Sequence, residues 1–284
     1  MDLLRSLRIA TWLGWQIESN WTEPWLFAIY VFIKPVAGSL LLVLMVVAAR
    51  NGGVNVPDDF FSFLYVGNAC WMLVGSVTFG MSWAVIADRE HFGMLKYIAV
   101  SPVPMRSYLI GRGVSRSVQG AVGAFLTLGV GAACFPNLRQ SLFGPGADPL
   151  GLIYYLAVGT ALLVILGLIL AGSVLNMARH GMFLSEGVAG VLYLVSGVVY
   201  PLDVFPVQVQ RIGYCLPTTY WLEGMRRSLL GSDRLHTMSD WSSAQLAGAL
   251  AVTTIILGLL SYYYFSWCER RAWRLGKYDE RSGW

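Results

Sequence analysis

Few residues in this chain are of a type that does chemistry, so their positions are informative. His91, His180 and His236 all fall between apolar runs. None is placed for a haem, a zinc site or a Ser/His pair inside a membrane. Cys70, Cys134, Cys215 and Cys268 lack metal-ligand spacing. Apolar packing suits all four, and a disulfide between Cys134 and Cys215 stays open. Gly276-Lys277 lacks both the upstream glycine and the following Ser or Thr of a phosphate-binding loop. No carboxylate pair sits in the middle of an apolar run, which argues against a proton relay. What remains is mostly cationic. Lys34 lies inside an apolar run, and Arg112 and Arg116 share a helix face at i and i+4. These three are candidate contacts for a substrate head group. The plainer readings are snorkelling for Lys34 and anchoring for the arginines. Glu186 is a candidate partner for Arg179 or Lys34 and not a catalyst.

The elements that carry these residues follow from composition. Charged residues make up 13% of the 284 and hydrophobic residues 56%, against about 25% charged in a soluble domain. Mean hydropathy is +0.59. These values exclude a soluble globular protein, a disordered chain and a binder of nucleic acid through a broad basic surface. The net charge of +4 is too small to specify an anionic partner. Four stretches carry no charge: Phe60–Ala87, Ser117–Leu138, Pro149–Ala178 and Trp241–Cys268. Each reaches the roughly 20 residues that a crossing needs. Trp25–Ala49, with Lys34 and Pro35, and Gly181–Leu202, with Glu186, are expected to cross as well.

The fold expected is therefore an all-α membrane protein with six transmembrane helices in one domain, 1–284. The spans lie near 25–49, 60–87, 114–135, 150–178, 182–200 and 243–267. Residues 1–22 are expected to form an amphipathic interface helix, because Leu4, Leu7, Thr11 and Trp15 keep helical spacing. That stretch is not a continuous apolar run, so no cleavable signal peptide is read there. With the termini inside, thirteen of the 20 basic residues fall inside and six outside. The positive-inside rule then places both termini in the cytoplasm. Residues 269–284 read as a polar cytoplasmic tail, solvated or lying on anionic lipid.

Two connecting segments are too patterned for simple turns. Residues 88–104 open with Asp88 and Glu90, where a helix start favours acids. Phe92, Leu95, Ile98 and Ala99 recur at helical spacing, and Ser101-Pro102 stops the helix. Such a helix lies on lipid or docks in a groove of another protein. Residues 201–231 are cut by Pro201, Pro206 and Pro217 into two pieces too short to cross. They read as two helices that dip into the outer leaflet and return, with an ordinary outer loop as the plain alternative.

DREHFGMLKYIAVSPVP, residues 88–104, resembles the coupling helix of type-2 ATP-binding-cassette (ABC) exporter permeases. Asp88, Arg89, Glu90, Gly93, Leu95, Ser101 and Pro102 match that pattern. Met94 and Lys96 depart, where Thr and Glu are usual. SGVVYPLDVFP followed by LPTTYWLEGMR is similar to that family's outer re-entrant pair, and Ile33-Lys34-Pro35 to its proline in the first span. The resemblance runs in order along nearly the whole chain.

It implies a permease subunit of a prokaryotic cytoplasmic (inner) membrane, with no catalysis and no cofactor of its own. ATP and Mg would sit on a partner, an ABC ATP-binding subunit present in two copies. A second permease copy, as homodimer or heterodimer, and membrane lipid complete the partners, with no nucleic acid. Asp88, Arg89, Glu90, Phe92, Gly93, Leu95, Ser101 and Pro102 would couple to the ATPase, with Phe92 and Leu95 inserting. Pro201, Pro206, Pro217, Tyr220, Glu223 and Arg226 would form the outer gate. The substrate expected is a hydrophobic drug, antibiotic or lipid. Export of a lipid-linked glycan or polysaccharide is the alternative. An intramembrane lipid-modifying enzyme is a further one, for which the polar constellation is missing.

Overall fold

A computed structural model describes residues 3–19, 24–144, 146–177, 180–231, 237–238 and 240–280. The side chains of residues 3, 4, 24, 26–28, 30–32 and 34 lie outside that description, Lys34 among them. Every regular element among the described residues is helical. In chain order these are α1 (Leu3–Ser19), α2 (Pro24–Asn51), α3 (Asp58–Glu90), α4 (Leu95–Val100), α5 (Met105–Cys134) and α6 (Pro136–Leu142). They continue as α7 (Pro149–Leu175), α8 (Gly181–Val195), α9 (Val207–Cys215), α10 (Pro217–Leu230) and α11 (Ser243–Arg274). Within α3, Gly75–Phe79 forms a π-helical turn.

Of the described helices, α3, α5, α7 and α11 are long and apolar enough to cross a membrane. The described apolar part of α2, Pro35–Asn51, is shorter, and so is α8. The helix α8 has 15 residues, about 22 Å of rise. It stops short of the expected residue 200 because the chain turns at Gly197, whose φ is +74°. Only glycine takes that conformation at little cost. The helix α5 begins at Met105 and not near 114, so Arg112 and Arg116 lie within a continuous helix.

Local signals account for the boundaries. Asp148 accepts a hydrogen bond from the Leu150 N–H at 3.1 Å, and Pro149 fills the first position of α7. Ser242 and Gln245 form a reciprocal capping box at the start of α11. Its far end closes on Gly276 (φ +64°), with the Gly276 and Lys277 N–H groups donating to Trp273 and Ala272 carbonyls. Residues 275–280 are therefore structured. Tyr278 is only 7% exposed, and Lys96 Nζ lies 2.9 Å from Asp279 Oδ1. Burial, with Glu269 nearby, raises the Tyr278 phenol and keeps it neutral. Tyr278 and Asp279 thus tie the described end of the tail to the helices beside it, while Gly276, Asp279 and Glu280 stay exposed.

The helices α3 and α7 form the centre of the bundle. Phe63, Tyr65, Val66, Val77, Met81 and Val85 of α3 are enclosed, as are Leu162, Leu163, Ala171 and Val174 of α7. The helices α5 and α11 turn rows outward, such as Val118, Val122 and Phe125, and Ile255, Ile256 and Leu259. Lipid tails are as apolar as leucine, so burial between such helices contributes little by itself. Close packing and hydrogen bonds must hold them together. Gly159 of α7 shows how. A Cβ there would overlap the Trp221 indole of α10, whose Nε1 donates to the Tyr155 carbonyl at 2.9 Å.

Gly159→Ala should therefore overpack this contact and destabilise the protein by about 1–3 kcal/mol. Gly190, where an added Cβ meets nothing within 4 Å, is the control. A thermal melt in detergent should show a lowered midpoint for Gly159→Ala and an unchanged one for Gly190→Ala. Equal midpoints would remove this contact as the reason for the glycine.

Candidate functional site

One end of the bundle carries residues 88–104. Asp88, Arg89 and Glu90 form the last turn of α3, and not the first turn of the next helix. An acid at a helix C-terminus opposes the dipole, so it needs donors nearby. Asp88 is fully buried and accepts from the Tyr108 hydroxyl at 2.6 Å. Arg112 Nη1 stands 3.8 Å from its other oxygen. Arg89 points the opposite way. Its guanidinium donates to the Val174 and Leu175 carbonyls at 3.4 Å and the Met177 carbonyl at 3.2 Å. These carbonyls lie at and just past the end of α7, where a cation suits the dipole. Its Nε also reaches Glu90 at 3.3 Å.

Gly93 then turns the chain at φ +60°, and the Met94 N–H donates to the Asp88 carbonyl at 2.8 Å. The helix that follows is short, Leu95–Val100. Leu95 is fully buried under it, while Phe92 (53%), Tyr97 (67%) and Val100 (72%) are exposed. Insertion into a partner was expected of Phe92 and Leu95; the structure leaves that open to Phe92 but commits Leu95 to the core. Ser101 accepts from the Val103 N–H at 3.3 Å and donates to the Ile98 carbonyl at 2.7 Å. Pro102 follows, exposed, and Pro104 precedes α5.

Arg112 and Arg116 join this assembly through α1. Glu18 Oε1 lies 2.6 Å from Arg116 and 3.5 Å from Arg112. The helix α1 can come this close because Gly111 carries no Cβ to strike Ala10. The two arginines therefore have internal carboxylate partners, and Arg112 is nearly inaccessible. Glu18 and Tyr108 were not singled out from the sequence. Tyr108 and Arg112 do stand at i and i+4, which was the available signal; Glu18 gave none.

Residues 196–231 occupy the other end. The helix α9 is largely exposed, whereas α10 is buried on nearly all sides. Pro201 is buried, Pro206 is exposed ahead of α9, and Pro217 is buried at the first position of α10. Tyr220 donates to the Tyr214 carbonyl at 2.5 Å, tying the two helices. Glu223 pairs with Arg227 at 3.0 Å and accepts from the Thr237 N–H at 3.3 Å. Arg226 donates to the Gly197 and Val198 carbonyls at 2.8 Å and the Phe63 carbonyl at 3.3 Å. It also lies 3.5 Å from the centre of the Phe63 ring. All four cysteines are free thiols.

A family profile described as ABC-2 type transporter matches residues 7–230. The chain belongs to this family. The chain is also similar to the probable doxorubicin resistance ABC transporter permease protein DrrC of Mycobacterium tuberculosis, from two strains. It is 25% identical over 232 residues, which cover 78% of this chain and 77% of the relative. The chain is thus an integral membrane protein and an ABC-type permease. The matched range takes in both segments described here.

The buried charges yield a stability prediction. Arg112→Gln removes the cation that faces Asp88 and should cost about 3–5 kcal/mol. Adding Asp88→Asn should recover part of that loss, because the buried charge disappears with its partner. Unfolding midpoints of both single variants and the double variant test this. A double variant no more stable than Arg112→Gln would show that the two groups are not coupled.

Proposed function

We propose that this chain is the permease subunit of an ATP-driven exporter. Six helices cross the cytoplasmic membrane, α2 and α8 completing the set, with both termini and residues 88–104 inside. Two copies enclose the substrate path, and two copies of a separate ATP-binding subunit hold ATP and Mg. A hydrophobic drug or antibiotic is the proposed substrate class, supported by the likeness to a mycobacterial permease named for probable doxorubicin resistance. A lipid-linked glycan is the second reading; the seven tyrosines Tyr154, Tyr155, Tyr193, Tyr200, Tyr262, Tyr263 and Tyr264 could stack sugars, but two of them are buried or bonded inside the bundle.

The observation that carries the proposal is the construction of residues 88–104. Asp88 and Arg89 bind inward to α5 and α7, and Phe92, Tyr97 and Val100 face outward. That arrangement joins an exposed apolar knob to two spans. Glu90, Phe92 and Tyr97 would meet the ATPase. Gly93, Leu95, Ser101 and Pro102 would hold the shape of the knob. Motion of the ATPase would then reach α5 and α7 through Asp88 and Arg89. At the opposite end, Pro201, Pro206, Pro217, Tyr220, Glu223 and Arg226 would shape the outer gate. We assign Arg112 and Arg116 to packing against Glu18 and Asp88, and not to a substrate head group.

Co-purification with the ATP-binding subunit tests this reading. Phe92→Asp with Tyr97→Asp should weaken assembly at least about tenfold, or ~1.4 kcal/mol, and abolish permease-dependent ATP hydrolysis. The melting midpoint of the permease alone should stay unchanged, since both side chains are exposed. Assembly at wild-type affinity would reduce residues 88–104 to a surface turn.

A further inference from the structure

One cleft stands apart from the coupling contacts of residues 88–104. It lies beside the π-helical turn of α3 and has a volume of about 390 Å³, within the range of small-molecule sites. Phe79, Trp83 and Ile86 of α3 form one wall, and Met182 and Ala189 of α8 the other. π-turns inside α-helices frequently mark functional sites. Here the turn is followed by Trp83, 41% exposed although its helix is central.

Two charged side chains enter this lining, Arg116 and Glu186. They are not equivalent. Arg116 is held by Glu18 at 2.6 Å, in a cluster where Arg112 and Arg116 face Glu18 and Asp88. That cluster balances itself. Glu186 stands exposed on the otherwise apolar α8 and has no ion-pair or hydrogen-bond partner among the described residues. The nearby hydroxyls do not serve it, because Ser185 donates to Ser82 at 3.0 Å. An ionisable group within a membrane segment is costly and marks a function by default. The cleft therefore joins an apolar, aromatic wall to a carboxylate with no partner among the described residues, which leave out Arg179 and the Lys34 side chain. A single carboxylate is too few ligands for a metal ion, and the described residues hold no metal-ligand cluster.

We propose that this cleft binds an amphipathic organic cation, with Glu186 as the counter-charge and Phe79 and Trp83 packing against its apolar body. The inference rests on the exporter reading and narrows its substrate class to lipophilic cations. Glu186 acts as a specificity-determining residue, drawing the cation by charge while the indole face adds attraction.

The test uses two probes of matched size and opposite charge, tetraphenylphosphonium and tetraphenylborate. Their equilibrium binding is measured on the permease with its ATP-binding subunit in lipid nanodiscs, with empty nanodiscs subtracted. Wild type should prefer the phosphonium. Glu186→Gln should weaken phosphonium binding at least about tenfold and leave the borate unchanged. Glu186→Asp should keep most of the preference, and Trp83→Ala should weaken phosphonium binding too. Unchanged phosphonium binding in Glu186→Gln, a wild-type preference for the borate, or no binding of either probe would overturn the proposal. If the ATP-binding subunit fails to assemble with wild type, the exporter reading falls, and phosphonium binding by the permease alone still decides the cleft.

Discussion

Asp88 and Arg89 are neighbours in sequence that bind in opposite directions, and the end of the bundle depends on them. Asp88 takes a hydrogen bond from Tyr108 and faces Arg112 on α5. Arg89 closes the carbonyl end of α7. One turn of helix thus ties three long helices together before the chain reverses at Gly93. The constraint is electrostatic and strict. Buried charges cost several kcal/mol when left alone, so neither residue can leave its partners cheaply. On the proposed reading this gives coupling a rigid root: a push on α4 is transmitted because the last turn of α3 cannot slip against α5 or α7.

The other end solves a different problem by similar means. The helix α10 is too short to cross and carries Glu223, Arg226 and Arg227. It can be buried only if those charges are met locally. Arg226 uses three carbonyls and the Phe63 ring, and Glu223 uses Arg227 and the Thr237 N–H. Gly67 allows this, since a Cβ there would overlap the Arg226 guanidinium. The turn at Gly197 matters for the same reason: it presents the Gly197 and Val198 carbonyls that a continued helix would use internally.

Much of this was legible in the sequence, for physical reasons. Uncharged runs located the four long helices, and Pro201, Pro206 and Pro217 marked the broken segment, because apolar length and proline act locally. What escaped were pairings across space. Asp88 was expected to start a helix, because acids favour starts; in the structure it ends one, with Tyr108 and Arg112 offsetting the dipole. Leu95 fits a helical stripe equally well whether the stripe faces a partner or the core. The tail looked solvated because its polarity is visible, whereas the docking of Tyr278 and the Lys96–Asp279 pair is not. The π-helical turn in α3 has no sequence signature at all.

The distribution of charge also says which parts of the molecule can move. Glu18, Asp88, Arg112 and Arg116 link α1, α3 and α5 through ion pairs of 2.6 to 3.8 Å. Separating any one helix would strand a charge, so these three must shift as a body. Compliance belongs where contacts are exposed and weak. The Lys96–Asp279 pair is such a place; its side chains are 39% and 68% exposed, and it contributes at most about 1 kcal/mol. The helix α8 is another, since its outward face carries Phe183, Val191 and Leu194 without protein cover. Any change in the width of the cleft at Glu186 is then most cheaply made by moving α8 against the fixed α3–α5 body. On the proposed reading, the side of the cleft that carries Glu186 is the side that closes on a ligand.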